Sequence, residues 1–438
     1  MCTVTLRFAV PTKKLRAIEG VRGSVITKPD RELNIFAPAL ALLVLAVLIN
    51  YVDRGNLSLA APLLKVEWGL SASQLGILFS AFYWTYVVMQ FVVGYLVDRF
   101  SANLVLAIGV LVWSLATAAT GLVTGFAMLL MLRLLLGVGE SVVFPASSKI
   151  CVQHLSEHSR GFANGVISAA MRWGQAVGTF GGGFLIAKSG WRASFIVIGL
   201  VGLLWLPAWK RWKPGAAVLL EKTTGGAPSF AAILQQRSFW GAAIGHFCAN
   251  YLAYFVMSWL PYYLVTDRHL SIGSMVETAG VLYTVDSISS VVTGWTADRT
   301  IRGGTSPTVV RKWAMGIGFS LAAVALAACA LSGPRTYLYC LVAMAVGSGA
   351  SNAGTFAFAQ TLAGPRAAGR WVGLQNGVAN LAGITGPALT GFLVDWTGSF
   401  YAAFGIAALV TLAGGVAWVF GVRKLEQVNW PAAQESCV

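Results

Sequence analysis

The chain has 438 residues, 57% hydrophobic and only 11% charged, with a net charge of +15 and a mean hydropathy of +0.71. Soluble domains carry about 25% charged residues, so this composition excludes a soluble or disordered protein and describes a polytopic membrane protein. Six cysteines without a C-x-x-C pair read as small buried hydrophobes, not as disulfides or metal ligands, and neither a metal nor a cofactor is expected.

Residues 1–33 hold Arg7, Lys13, Lys14, Arg16, Arg22, Lys28 and Arg31 without the apolar core of a signal peptide. They read as a basic tail, or as the product of a start site assigned upstream. A membrane-spanning helix needs about 20 largely apolar residues. Twelve such runs follow, at 35–60, 72–97, 103–122, 126–150, 160–187, 192–212, 238–265, 275–297, 310–331, 336–362, 368–394 and 400–421. The polar stretch 213–237 divides the chain into a first half, 34–212, and a second, 238–422, with a tail at 423–438. With the N-terminus placed in the cytoplasm, inner segments carry 23 of the 31 Lys and Arg and outer loops five. This bias sets both termini on the cytoplasmic side of a plasma membrane, the inner membrane of a bacterium. It also accounts for the net positive charge without a nucleic-acid partner.

The first span carries "NYVDRGNLSLA" at 50–60. A charge at the bilayer centre costs at least about 2.5–3.5 kcal/mol and usually faces a cavity, yet Asp53 and Arg54 stand side by side. The fourth span adds Arg133 and Glu140, two turns apart on one face. The fifth adds Arg172 and the eighth Asp286. At about 1.5 Å of rise per residue, two layers are expected: an outer one of Asp53, Arg54 and Arg133, and a central one of Glu140, Arg172 and Asp286. An Asp53–Arg133 pair that only holds helices together is the plain alternative. Asp286 has an equally plain one, as a protonated, hydrogen-bonded acid. Tyr51, Tyr83, Tyr86, Trp173, Tyr251 and Tyr254 offer hydroxyl and indole donors to a polar cavity.

The halves repeat. "GYLVDRF" places Gly94, Asp98 and Arg99 at the inner end of the second span, and "GWTADRT" places Gly294, Asp298 and Arg299 at that of the eighth. A weaker echo links "GGFLIAKSG" (182–190) to "TGFLVDWTG" (390–398). Two parallel six-helix halves are a transporter architecture, and the paired G-x-x-x-D-R turns read as a cytoplasmic gate.

These features resemble the major facilitator superfamily over residues 34–421. "NYVDRGNLSLA", "FSAFYWTYVVMQ" (79–90) and "RLLLGVGESVVFPAS" (133–147) resemble its anion:cation symporter branch, with bacterial galactonate and hexuronate transporters and, more distantly, sialin. The first inner loop departs from that pattern, reading "DRFSANL" without the usual glycine and second basic residue. The resemblance implies an all-α fold of twelve transmembrane helices that moves an organic anion by proton symport with alternating access. Asp53 and Glu140 would couple protons. Tyr51, Arg54, Tyr86, Gln90, Arg133, Arg172 and Asn376 would bind substrate, with Asp286, Trp173 and Tyr254 as further candidates. The expected partners are a small organic anion, a proton and the lipid bilayer, and the expected state is a monomer. A proton-independent exchanger or exporter, or a transporter-like sensor, is the alternative. No nucleophile or metal set supports an enzyme: His154 and His158 lack a third ligand.

Overall fold

A computed structural model describes residues 29–155, 157–215, 228–333, 335–352, 354–422 and 424–430; the side chains of Asp98, Arg172 and Asp298, three of the expected site residues, lie outside the described residues. The described chain is helical throughout. The first half contains α1 (Pro29–Trp68), α2 (Ala72–Arg99), α3 (Ala102–Thr120) and α4, which runs Phe126–Glu140 and resumes at Val143–His154. Next, α5 runs through Glu157–Val177 and a π-helical turn at Gly178–Gly182 to residue 189. The helix Gly183–Trp212 is interrupted at Gly190 (φ 80°), and 191–212 form α6. Only a residue without a side chain adopts that φ freely.

After a short helix, Phe230–Leu234, the second half contains α7 (Arg237–Thr266), α8 (Ile272–Arg302) and α9 (Pro307–Leu331). α10 runs Tyr337–Asn352 and resumes at Thr355. The helix Thr355–Thr397 breaks at Gly364 (φ 63°), so 365–397 are α11. Then α12 is Tyr401–Val416, ending in a π-helical turn, Ala417–Gly421. Twelve rods thus fall close to the twelve apolar runs of the sequence. By length and composition, eight helices among the described residues are apolar enough to cross a membrane. One of these, Ala169–Trp212, is two rods in one.

The halves are built alike. α3 packs on α4 and α6, and α9 packs on α10 and α12. Both crossings are glycine on glycine. A Cβ at Gly109 would stand 2.7 Å from the Gly139 carbonyl oxygen, and one at Gly318 would stand 2.9 Å from that of Gly347. Backbones this close are the usual way for membrane helices to gain contact when lipid is as apolar as the side chains.

The core shows how the halves meet. We call the end with the N- and C-terminal segments the near side. At the far side, one buried cluster joins Leu64, Leu75 and Phe79 of the first half to Trp259, Tyr262 and Phe404 of the second. Toward the near side the core divides in two: one cluster around Phe36, Ile150 and Trp209, another around Phe239, Trp371 and Trp418. The halves therefore close at the far side and separate toward the near side.

Because the glycine crossings admit no side chain, Gly139→Val and Gly347→Val should each lower stability by about 1–3 kcal/mol. A Cβ at Gly94 meets nothing within 4 Å, so Gly94→Ala should leave the thermal midpoint in detergent within a degree or two of wild type.

Candidate functional site between the two halves

The site begins with α1. Residues 51, 54 and 58 share one of its faces and 50, 53 and 57 the next. Asn50, Asp53, Arg54, Asn56 and Ser58 are all buried. α1 lies hard against α5, where a Cβ at Gly174 would be 2.7 Å from the Leu48 carbonyl oxygen. α4 supplies the opposing wall. Pro145 cannot donate to Ser141, and its ring crowds that carbonyl, which explains the break between Glu140 and Val143. The helix thus stops at the residue that carries the carboxylate.

Arg54 donates from Nε to Glu140 Oε2 at 2.8 Å, with side chains only 3% and 0% exposed. Its guanidinium carbon stands 4.6–4.9 Å from the ring centroids of Tyr51, Phe82 and Tyr86. Each such contact contributes roughly 0.5–2 kcal/mol, the upper end applying when the cation is desolvated. Phe82 and Tyr86 are stacked 5.2 Å apart on α2, and Phe82 also faces the Arg133 guanidinium at 5.3 Å. The geometry corrects the two-layer expectation at Arg54. Its side chain pairs with Glu140, assigned to the other layer, while still lining one cavity with Arg133.

Arg133 is buried, and its guanidinium makes no salt bridge among the described residues; Nε donates to the Leu78 carbonyl oxygen at 3.3 Å. Asp53 is 2% exposed, and its carboxyl, beside the Thr117 hydroxyl, makes no salt bridge among the described residues. The Asp53–Arg133 pair of the alternative reading is not among the ion pairs of the described residues. A small cavity opens between Arg54 and Arg133, lined by Ser58, Phe79, Phe82 and Tyr83 and, from the other half, Met257 and Ser258.

The second half contributes Tyr254, whose hydroxyl donates to Asn380 Oδ1 at 2.7 Å and whose ring lies 4.5 Å from that of Tyr83. Asn376 is half-buried, and its carbonyl accepts a bond from Asn380. Gln90 is half-buried on the face of α2 shared with Tyr86, one turn nearer the terminal side.

Other expected residues stand apart. Asp286 lies where α8 crosses α10, its carbonyl pressed against Gly349, and is not brought to the Arg54–Glu140 pair. Trp173 is 67% exposed. Its neighbour two residues on, Gln175, faces Met257 of the other half instead. Of the gate residues, Arg99 is exposed and donates to the Tyr95 hydroxyl at 2.8 Å, and Arg299 lies over Trp295. Open space surrounds both Gly94 and Gly294, as expected where the near ends are apart.

Sequence comparison agrees with this architecture. Residues 43–310 and 306–435 match the Major Facilitator Superfamily. The chain belongs to that family. It is similar to a hexuronate transporter of Bacillus subtilis (strain 168), 30% identical over 91% of this chain and 97% of the relative. A probable L-galactonate transporter of Escherichia coli (strain K12) is 30% identical over 91% of this chain and 92% of its own. A bacterial homolog of the human lysosomal transporter Spinster, solved in an inward-facing, unoccupied conformation, superposes with a TM-score of 0.73 at 19% identity, covering 89% of this chain and 95% of that one. The chain is accordingly a multi-pass membrane transporter and not an enzyme.

Sequence reasoning missed Phe82, Ser58, Met257, Ser258 and Asn380. Most of them carried a signal: Ser58 lies one turn from Arg54 and Ser258 one turn from Tyr254. Phe82 lies one turn from Tyr86, and Asn380 one turn from Asn376, so helical spacing places each on the face of a residue already chosen.

Breaking one partner of a buried ion pair costs about 3–5 kcal/mol, because a lone charge is left behind. Arg54→Gln and Glu140→Gln should therefore each destabilise. The double variant Arg54→Gln/Glu140→Gln should recover part of the loss. A double-mutant cycle on thermal unfolding with no coupling between the two positions would contradict the pairing.

Proposed function

We propose that this transporter moves a small organic anion together with a proton, by alternating access. One observation carries the reading: within a single buried cluster and among the described residues, Arg54 is held by Glu140, Arg133 has no carboxylate, and the Asp53 carboxyl has no salt bridge. A carboxylate substrate supplies what Arg133 lacks, and a proton on Asp53 offsets the charge that an ionised carboxyl would bury. Protonation of Glu140 releases Arg54 from its pair, and the freed guanidinium can then turn to the substrate. Each event favours the other, and that is the thermodynamic content of symport. The rings of Tyr51, Phe82 and Tyr86 keep the guanidinium in place while its partner changes.

The names of the relatives, a hexuronate and a probable L-galactonate transporter, support a sugar acid as substrate. Hydroxyls of such an acid would meet Tyr254, Asn376, Asn380 and Gln90. Arg172 remains a candidate for a second carboxylate. The concentration of Lys and Arg in the near-side segments supports a cytoplasmic near side, and with that orientation the described conformer opens inward. A plasma-membrane monomer is the simplest form consistent with this. The G-x-x-x-D-R turns, Gly94–Arg99 and Gly294–Arg299, would then come together when the protein faces outward.

The test is uptake of labelled hexuronate and galactonate by proteoliposomes, with and without an inward proton gradient. Wild-type protein should concentrate one of them only with the gradient. Gradient-independent accumulation, or none of either acid, would refute the proposal. Two variants probe the site. Arg133→Lys keeps the charge but loses the planar fork; since a charge-assisted hydrogen bond contributes roughly 1.5–3 kcal/mol, apparent affinity should fall about tenfold or more. Glu140→Gln should retain counterflow exchange and lose proton-driven accumulation. If it concentrates substrate like wild type, Glu140 is not a proton carrier.

A further inference from the structure

The two halves meet along two pseudo-equivalent seams, α2 with α11 and α5 with α8. On α11 the contact runs along every fourth residue. The Tyr83 ring lies against Gly383, and a Cβ at Gly76 would stand 2.6 Å from the Pro387 carbonyl oxygen. A Cβ at Gly391 would collide with the carbonyl of Ala72. The next residue of this stripe, toward the far side, is Asp395.

Asp395 closes the seam with a bond of a different kind. Its Oδ1 accepts from the Ala72 backbone N–H at 2.9 Å and its Oδ2 from that of Ser73 at 2.7 Å. These are the first two N–H groups of α2. Ser71 and Gln74 form a capping box that satisfies each other's backbone N–H. The first turn of a helix has donors without intrahelical partners and a positive dipole end. Here two of them are satisfied by a carboxylate from the opposite half of the protein, more than three hundred residues away in sequence.

The other seam shows that the fold does not require this carboxylate. Aligning "GGFLIAKSG" with "TGFLVDWTG" makes Gly183 the counterpart of Gly391 and Ala187 that of Asp395. The close approach is kept there: a Cβ at Gly183 would collide with Val276, two hundred residues after Gly76. α8 is capped by its own Ser271, which accepts from the Ser274 N–H at 3.2 Å. Packing is thus repeated in both seams, but the cross-half carboxylate bond is present in one.

We propose that Asp395 is the latch of the far-side gate. Its two bonds to the start of α2 hold the far side shut, and their loss accompanies opening. Asp395 is exposed and Ser73 half-buried, so water can replace the carboxylate at the Ser73 N–H, while the buried Ala72 N–H gains water as the seam parts. The inference rests on alternating access.

The test uses spin labels at Leu122→Cys and Leu331→Cys, exposed positions at the far ends of α3 and α9, in full-length protein with its native cysteines replaced, reconstituted in lipid. Distances are measured by pulsed dipolar spectroscopy for the wild-type sequence, Asp395→Asn, Asp395→Ala and Gly391→Leu. Gly391→Leu wedges the seam apart sterically and reports whether the far side opens at all. The expected result is a three- to tenfold larger long-distance population in both Asp395 variants, in the same direction as Gly391→Leu. Opening in Gly391→Leu alone would overturn the latch and leave alternating access standing. Unchanged distances in all the variants would overturn both.

Discussion

The buried pair of Arg54 with Glu140 sets the terms for everything around it. Two charges removed from water are tolerated only with close geometry and further partners. The structure meets that demand from three directions. Glycine at 174 lets α5 press on α1 and fix the strip that carries Tyr51 and Arg54. Pro145 ends the first stretch of α4 close to Glu140. Aromatic rings of α1 and α2 surround the guanidinium. A charge pair held this way is fixed in position, and the proposed coupling would ask it only to change partner. The neighbouring Asp53 and Arg133 complete the logic by lacking such partners.

The same economy of small residues shapes the moving parts. Within each half, glycine crossings such as Gly109–Gly139 and Gly318–Gly347 lock helices into a unit. Between halves, the far-side core is continuous while the near-side core is divided. Under the proposed alternating access, two units joined at one end would form a rocker with the charge cluster inside it, and the far-side seam would decide how readily it turns. Lys65 reaches across it as well, its Nζ donating to the Tyr262 hydroxyl at 2.5 Å. Each contact joins a charged group that reaches water, Asp395 or Lys65, to a partner at the edge of the far-side core.

Much of this was legible in the chain itself. Helix number and approximate bounds follow from hydropathy, because a bilayer leaves the backbone no alternative to internal hydrogen bonding. The duplication is visible in two G-x-x-x-D-R turns. Asp53, Arg54, Arg133 and Glu140 stand out because charge in a membrane is expensive and therefore purposeful. Depth along a helix could be estimated by counting residues. What counting could not supply was the reach and direction of a long side chain, and so Arg54 was set in a layer apart from Glu140, with which it pairs. It also could not rank aromatics: Tyr86 faces the guanidinium, while Trp173 is mostly exposed.

The sequence by itself therefore determined the class, the span count, the two halves and the charged residues of the candidate site, since each is a local consequence of the cost of polarity in lipid. Only the tertiary structure decided which charges pair, which are left unsatisfied, and which end of the rocker is closed. The Asp395 bond belongs to that second group. "TGFLVDWTG" shows a carboxylate at a helix end, but that it caps a helix of the other half depends on how the two units dock. Docking is a long-range choice, fixed by surfaces that come together only after each half has formed.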